Sequence, residues 1–200
     1  MQLFRDPAEN LLPYEGTVYY YGPVMSPAMA DHYLEVLLRD IAWQHDEAYL
    51  FGKHYITDRK VAWYGDEAYS YTYSNRTKHA LGWTPELLAL KTLAEQQTGA
   101  VYNSCLLNLY HNGSEGMAWH SDGEKALRRH APIASFSLGA VRRFAFRHKV
   151  SKEVRSLFLE HGSLLVMTGT TQEHWLHRLP PTARVHGARV NLTFRCMEQQ

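Results

Sequence analysis

The stretch Arg189-Val190-Asn191-Leu192-Thr193-Phe194-Arg195 alternates polar and apolar residues without a slip. In an extended strand successive side chains point to opposite faces, so Arg189, Asn191, Thr193 and Arg195 share one face while Val190, Leu192 and Phe194 share the other. Two guanidinium groups and an amide therefore converge on one patch. A guanidinium is a planar, permanently charged fork of five donors that matches carboxylate or phosphate, so the patch reads as a site for a small acid carrying two carboxylates. Alternation alone favours a solvated strand face. The residues upstream tip the balance the other way.

Short strand-like runs lead up to this segment at 104–110, 133–138, 141–147, 154–159, 163–168 and 174–178, broken by Gly, Pro or charge clusters, and the last strand spans 188–195. Many short strands at such spacing predict a sandwich or barrel, here a jelly roll. Two helices come before them. Ser26-Pro27 is a helix-start signal, and Ala30, Tyr33, Leu34, Leu37, Leu38 and Ile41 repeat at helical spacing, which predicts an amphipathic helix over about 27–42. Thr84-Pro85 repeats the signal, Leu87, Leu90, Leu93 and Ala94 supply the apolar face, and Gly99 ends the helix. Both helices should pack on the outside of a sheet, giving a mainly β, α+β fold.

Composition sets the frame. A chain of 200 residues that is 45% hydrophobic and 12% aromatic builds one sizeable core, so one domain over 1–200 is expected. The formal net charge of +1 gives no global field, so any grip on an acidic polymer must come from local patches. With two cysteines, Cys105 and Cys196, no apolar signal segment and no membrane-length run, a cytoplasmic protein with reduced thiols is expected. A monomer is the default expectation.

His120-Ser121-Asp122 places an imidazole and a carboxylate two residues apart, which in an extended segment means one face and a shared direction. With 12 His in the chain, roughly 0.4 such pairs arise by chance, so the pair is informative only in context. His177 offers a third ligand on another strand. Two His and one carboxylate on one side of a metal, with the remaining positions open, is the arrangement of non-haem Fe(II) oxygenases.

Together, His120-x-Asp122, His177 and Arg189-x-Asn191-x-Thr193-x-Arg195 resemble the AlkB-type Fe(II)- and 2-oxoglutarate-dependent dioxygenases, a family that repairs alkylated nucleic acid. Asn108-Leu109-Tyr110 and Gly113 precede His120 as in that family. Pro132-Ile133-Ala134-Ser135, Phe146-Arg147-His148-Lys149 and His161-Gly162-Ser163-Leu164-Leu165 are similar to its nuclear DNA-repair branch. The resemblance covers roughly residues 48–196. It implies a double-stranded β-helix (jelly roll) with N-terminal nucleotide-recognition hairpins: a nucleotide-recognition segment over about 45–85 and a catalytic core over about 100–196.

The resemblance also implies the cofactors Fe(II), 2-oxoglutarate and O2, with His120, Asp122 and His177 as the metal ligands. His177 is preferred to His174 because its spacing from Arg189 matches the family, and His174 becomes a surface or supporting residue. Arg189 and Tyr110 would hold the far carboxylate of 2-oxoglutarate, while Arg195 and Asn191 would hold the one beside the metal with support from Asn108; which arginine takes which end stays open. The implied activity is oxidative demethylation of bases such as 1-methyladenine and 3-methylcytosine, coupled to decarboxylation of 2-oxoglutarate and release of formaldehyde. Two alternatives stay open: an oxygenase acting on a protein or small molecule, and a nucleic-acid-binding jelly roll with a structural metal.

A base inside a duplex cannot reach a buried metal, so it has to be flipped out and stacked in a pocket. By resemblance, Tyr71 and Tyr73 in Tyr69-Ser70-Tyr71-Thr72-Tyr73 would face that pocket with the His120 ring, and Phe51 in Leu50-Phe51-Gly52-Lys53 would wedge into the gap. Phosphate contacts are expected from Arg142, Arg143, Arg147, His148 and Lys149 and from Lys53, Arg59 and Lys60. After Asp122 the chain reads Gly123-Glu124, whereas the DNA-repair branch usually has an acidic residue at the first of these positions, so Glu124 is the candidate base contact. The loop Pro180 to His186 has only Arg184 as a strong cation, so single strands are expected to be preferred. The expected partner is alkylated DNA, with RNA open and no membrane.

Overall fold

The computed structural model describes residues 9–50, 53–73 and 76–198. In chain order the elements are β1 (Thr17–Pro23), α1 (Pro27–Asp40), β2 (Gln44–Leu50), β3 (Lys53–Gly65), β4 (Ser70–Tyr73), β5 (Arg76–His79), α2 (Pro85–Thr98), β6 (Ser104–Tyr110), β7 (Met117–His120), β8 (Ile133–Gly139), β9 (Arg142–His148), β10 (Val154–Leu159), β11 (Ser163–Thr168), α3 (Thr171–His174), β12 (Trp175–Leu179) and β13 (Arg189–Arg195). They form a seven-stranded sheet ordered β1-β11-β8-β13-β6-β3-β2, a four-stranded sheet ordered β10-β9-β12-β7, and the hairpin β4-β5. The fold is mainly antiparallel β with flanking helices, as expected.

Both long helices begin where the sequence says they should. The Ser26 hydroxyl accepts from the Met29 N–H with Pro27 in the first turn, and Thr84 does the same for Leu87 before Pro85. Gly99, at φ 67, ends α2 in the left-handed conformation that glycine adopts without penalty. On α1 the buried residues are Ala30, Val36 and Leu37, whereas Leu38 is 38% exposed, so the apolar stripe is rotated from the expected one.

β13 lies at the heart of the large sheet, paired on one side with β6 (Arg189↔Tyr110, Asn191↔Asn108) and on the other with β8 (Asn191↔Ser137, Thr193↔Ser135). Its apolar row, Val190, Leu192 and Phe194, faces the helices, where it meets Leu107, Phe136, Leu37, Leu87 and Leu90 in the larger core. A second core between the sheets contains Ile133, Phe146, Leu165, Met167 and Trp175. It fills one end of the sandwich. The polar row of β13 faces the other end, and that is where the site forms.

Several strands were not expected. β1 to β5 precede residue 100, where only an apolar hairpin and a tyrosine segment stood out. β2, QHDEAYL, is polar and sits at the sheet edge, and β1 carries a register shift between Tyr20 and Gly22. Neither shows the clean alternation that pairing on both sides imposes. The four-residue α3 interrupts what the sequence reads as strands only, and it puts His174 at a helix end and not on the strand that carries His177.

Candidate active site

Three side chains with metal-ligating atoms meet where the small sheet closes over the polar row of the large one. His120 is the last residue of β7 and lies directly across the ladder from His177 on β12. Their ring centroids are 4.3 Å apart. Asp122 is not on a strand: it follows β7 in a loop, and its backbone N–H is tied to Gln172 Oε1 at 2.9 Å. The shared direction of His120 and Asp122 thus comes from a strand end and an anchored loop, not from an extended segment. Asp122 Oδ1 is 3.8 Å from His120 Nε2 and 3.9 Å from His177 Nε2, and the donor atoms of all three lie within 4.8 Å of one another.

Protonation states suit a cation. His120 Nδ1 is 2.8 Å from the Ala118 carbonyl, an acceptor, so Nδ1 carries the hydrogen and Nε2 presents its lone pair to the centre. Burial pushes His177 down to about 4, Asp122 opposing and His120 and Arg195 assisting, so the imidazole is neutral at pH 7. Burial works to raise Asp122, but Arg195, then His177 and His120, hold it below the usual carboxylate range. One ionised carboxylate, the neutral imidazole of His177 and the inward Nε2 of His120, gathered on one side, fit a ferrous ion with open positions.

A second group, Glu15, His148 and His174, has donor atoms equally close. It lacks the right lone pair. The Ser151 backbone N–H donates to His148 Nδ1 at 3.0 Å, so the proton sits on Nε2 and goes to Glu15 Oε2 at 2.8 Å. The bond pattern that frees Nε2 in His120 blocks it in His148.

The His177 environment has a thermodynamic consequence in the metal-free protein. The unfolded imidazole titrates near 6.5 and the folded one near 4, so the folded-state value is depressed. The contribution is complete above pH 6.5 and is lost as the pH falls towards 4, about 3 kcal/mol in all. Denaturant unfolding of metal-free wild type and His177→Asn at pH 7, 6 and 5 measures it. The variant should show the shallower pH dependence, and parallel profiles would contradict the assignment.

The polar row of β13 forms a shelf beside the triad. Arg189 is buried, donates from Nη2 to Ser137 Oγ at 2.8 Å, and leaves its Nε without an acceptor. Its Cζ lies 5.5 Å from the Tyr110 ring centroid. Burial lowers Arg189 to about 10, with Tyr110 opposing and Arg142 assisting, and burial raises Tyr110, so its hydroxyl remains a donor. Asn191 donates to Ser135 Oγ and the Phe136 carbonyl, both at 2.8 Å. Arg195 bonds Asp122 at 3.0 Å and Glu124 at 3.5 Å. Burial opposes the charge on Arg195, but Asp122 and Glu124 prevail and raise it. Two buried guanidiniums, each with an unused Nε, fit a ligand with two carboxylates such as 2-oxoglutarate.

The open side of the triad is a cavity of about 490 Å³, walled by Arg59, Trp63, His79, Met117, His120 and Asp122 among others. That is room for a base. Glu124 lines it, with Oε2 buried and without a donor. Asn108 also lines it, accepting through Oδ1 from Arg59, which is itself paired with Asp46.

Other expectations fare differently. Phe51 and the side chains of Tyr71, Tyr73 and Lys53 lie outside the described residues; the backbone of Tyr71 and Tyr73 is in β4, paired with β5. Arg142 is a correction: it is 1% exposed and donates to the carbonyls of Asn112, Gly113, Glu115 and Pro180, so it ties loops together and cannot meet phosphate. His148 and Arg59 are buried too, for the bonds already given. Lys149 is half-buried, donating to the Gln172 carbonyl at 2.9 Å. Of that basic stretch, Arg143 and Arg147 stand on the outward row of β9. Sequence reading also missed Ser135, Ser137, Trp63 and Gln172. The alternating serines of Ile133-Ala134-Ser135-Phe136-Ser137 were a usable signal, while nothing local marks Gln172.

Comparison with known proteins agrees with this geometry. A family profile for the 2OG-Fe(II) oxygenase superfamily matches residues 17–195. DNA oxidative demethylase ALKBH2 of Mus musculus is 37% identical over 202 residues, covering 96% of this chain and 84% of that protein. Alpha-ketoglutarate-dependent dioxygenase alkB homolog 3 of Bos taurus is 40% identical over 176 residues, covering 83% of this chain and 61% of that protein. Among solved structures, that titled "The structure of OsALKBH1" matches with a TM-score of 0.59 and 15% identity, covering 92% of this chain and 98% of the other, a likeness of fold.

Proposed function

Because the chain belongs to the 2OG-Fe(II) oxygenase superfamily, as an AlkB-type Fe(II)- and 2-oxoglutarate-dependent dioxygenase, we propose that it removes methyl groups oxidatively from N-alkylated bases in nucleic acid. The observation that carries the reading is the His120-Asp122-His177 triad, two of whose members, His120 and Asp122, line a base-sized cavity together with Arg195 of the two-arginine strand. The similarity to DNA oxidative demethylases supports the substrate class.

Iron and 2-oxoglutarate, when bound, supply oxidation of an N-methyl group by O2, coupled to loss of CO2 from 2-oxoglutarate and release of the methyl carbon as formaldehyde. The protein supplies orientation and a shielded site. His120, Asp122 and His177 would hold the metal; Arg189, Ser137 and Tyr110 would receive one carboxylate and Arg195 and Asn108 the other, while Asn191, expected beside them, has both amide N–H bonds on Ser135 and Phe136 and fixes the strand that carries the arginines. Burial of both arginines strengthens each contact, since little water competes there. The base enters from the open side, where Trp63 and His79 stand on the cavity wall. Bases methylated on the pairing edge, 1-methyladenine and 3-methylcytosine, have lost pairing and are cheaper to flip. Single strands are the preferred form, because only Arg184 is cationic in the Pro180 to His186 loop.

The test is formaldehyde release from 1-methyladenine and 3-methylcytosine oligonucleotides with Fe(II), 2-oxoglutarate and ascorbate. Absence of turnover by protein that binds 2-oxoglutarate would refute the reading. Glu124 is assigned to the exocyclic amine of the base. Glu124→Gln is expected to lower kcat/KM about 10-fold on both substrates, the scale of one charge-assisted hydrogen bond, with 2-oxoglutarate KM little changed. An unchanged kcat/KM would remove Glu124 from base recognition.

A further inference from the structure

On the outward side of the four-stranded sheet, behind the triad, Trp119, Arg147 and Arg178 form a group that the proposed chemistry does not use. Each neighbours an inward-facing residue: Trp119 precedes His120, Arg178 follows His177, and Arg147 follows Phe146. Alternation therefore turns all three to the outer face. The Cζ atoms of Arg147 and Arg178 each lie 4.5 Å from the Trp119 ring centroid. Ala145, opposite Arg178 in the β9-β12 ladder, is only 2% exposed on that outward row, so larger side chains cover the sheet there.

These two arginines differ from others on the surface. Arg39 is paired with Asp40, Arg129 with Glu173 and Arg155 with Glu153. Among the described residues no protein acceptor joins Arg147 or Arg178, and the Nε of each is buried without a partner. A guanidinium lying on an indole is held through its face by the ring quadrupole, which leaves the N–H edge for an anion. Two such cations with no carboxylate between them suit an anionic partner with repeated charges.

The position says which one. β7 is the edge strand of its sheet, and Met117 and His120 on β7 line the substrate cavity. A strand leaving that cavity over the β7 edge meets Trp119, then Arg178, then Arg147. Arg143 and its ladder partner Phe158, 64% exposed, continue the same face. Interleaved cations and aromatic rings are what a single nucleic-acid strand uses for docking.

We propose that Trp119, Arg147 and Arg178 are a docking surface for the single strand flanking the target base, with the two guanidiniums on its phosphates. The inference rests on the demethylase reading and extends it from the base to the strand. The test is fluorescence anisotropy of the metal- and 2-oxoglutarate-loaded protein with a trinucleotide and with a fifteen-nucleotide single strand, over a range of salt. The Arg147→Gln/Arg178→Gln double variant should lower the slope of log affinity against log salt by about 1.4 on the long strand, roughly 0.7 for each phosphate contact. The trinucleotide should bind it as it binds wild type. Arg147→Lys/Arg178→Lys keeps the charge and should keep most of the slope, which separates charge from packing. An unchanged slope in the glutamine variant overturns the surface while leaving the demethylase reading intact. Wild type that neither binds the long strand at low salt nor releases formaldehyde overturns both.

Discussion

Asp122→Asn is expected to cost at least about 100-fold in turnover, because loss of a charged ligand must exceed the 10- to 100-fold typical of residues that only orient ligands. Asp122 is the sole carboxylate in the triad, and it is also the counter-ion of Arg195 at 3.0 Å. Its removal leaves Arg195 buried beside Glu124 alone, at 3.5 Å. Breaking a buried pair on one side costs about 3–5 kcal/mol, and asparagine, which keeps an oxygen, should fall at the low end. Iron binding, formaldehyde release and denaturant unfolding are the three readouts. A folded variant with wild-type turnover would remove Asp122 from the site. A variant that unfolds only when metal is stripped from it would point to a structural ion instead.

Arg189→Met should move stability and function in opposite directions. The guanidinium is buried with one hydrogen bond to Ser137, an orphaned Nε and a charge that burial disfavours, to about 10. Without a carboxylate ligand it is a desolvated cation with no counter-ion on the shelf. An unbranched apolar chain of similar length removes that penalty, so the ligand-free variant should gain about 1–3 kcal/mol, or about 2–12 °C in Tm. The same change deletes the fork that receives one carboxylate of 2-oxoglutarate. Kd for 2-oxoglutarate, by calorimetry with Mn(II) in place of Fe(II), should weaken at least about 100-fold, the scale of 2–5 kcal/mol for a buried charge pair. A variant less stable than wild type, or one that retains tight 2-oxoglutarate binding, would contradict this account. Such a trade-off is the mark of a group kept for its ligand and not for the fold.

The site was legible in proportion to how locally it is encoded. The seven residues of β13 sort themselves onto two faces by alternation alone, and the two faces are covered for different reasons: Val190, Leu192 and Phe194 by the helices, Arg189 and Asn191 by hydrogen bonds to Ser137, Ser135 and the Phe136 carbonyl. The helices were equally legible, since Ser26-Pro27 and Thr84-Pro85 cap from within one turn. Edge strands were not. β2 has a partner on one side only, so its sequence is free of the constraint that makes β13 readable.

The basic stretch Arg142 to Lys149 shows where local reading stops. Charge density marks five cationic residues, but Arg142 and His148 fold inward to carbonyls and to Glu15, Lys149 is spent on the Gln172 carbonyl, and Arg143 and Arg147 stand on the outward row. A strand sends alternate side chains to opposite faces, so a run of charge says nothing about which of its members reach solvent.

What the sequence determined by itself is the inventory and its spacing: two imidazoles and a carboxylate of the right chemistry, and two guanidiniums on one side of one strand. Only the tertiary structure decided that His177 and His120 stand opposite each other in a ladder, that Ala118 frees Nε2 of one histidine while Ser151 blocks it in His148, and that Arg195 keeps Asp122 charged. The reason is one of range. Side-chain direction is set by a residue's own backbone and the tautomer by a turn or strand end two or three residues away, whereas register and desolvation are set by neighbours that the chain brings from 50 or more residues away, such as Gln172 on the Asp122 amide.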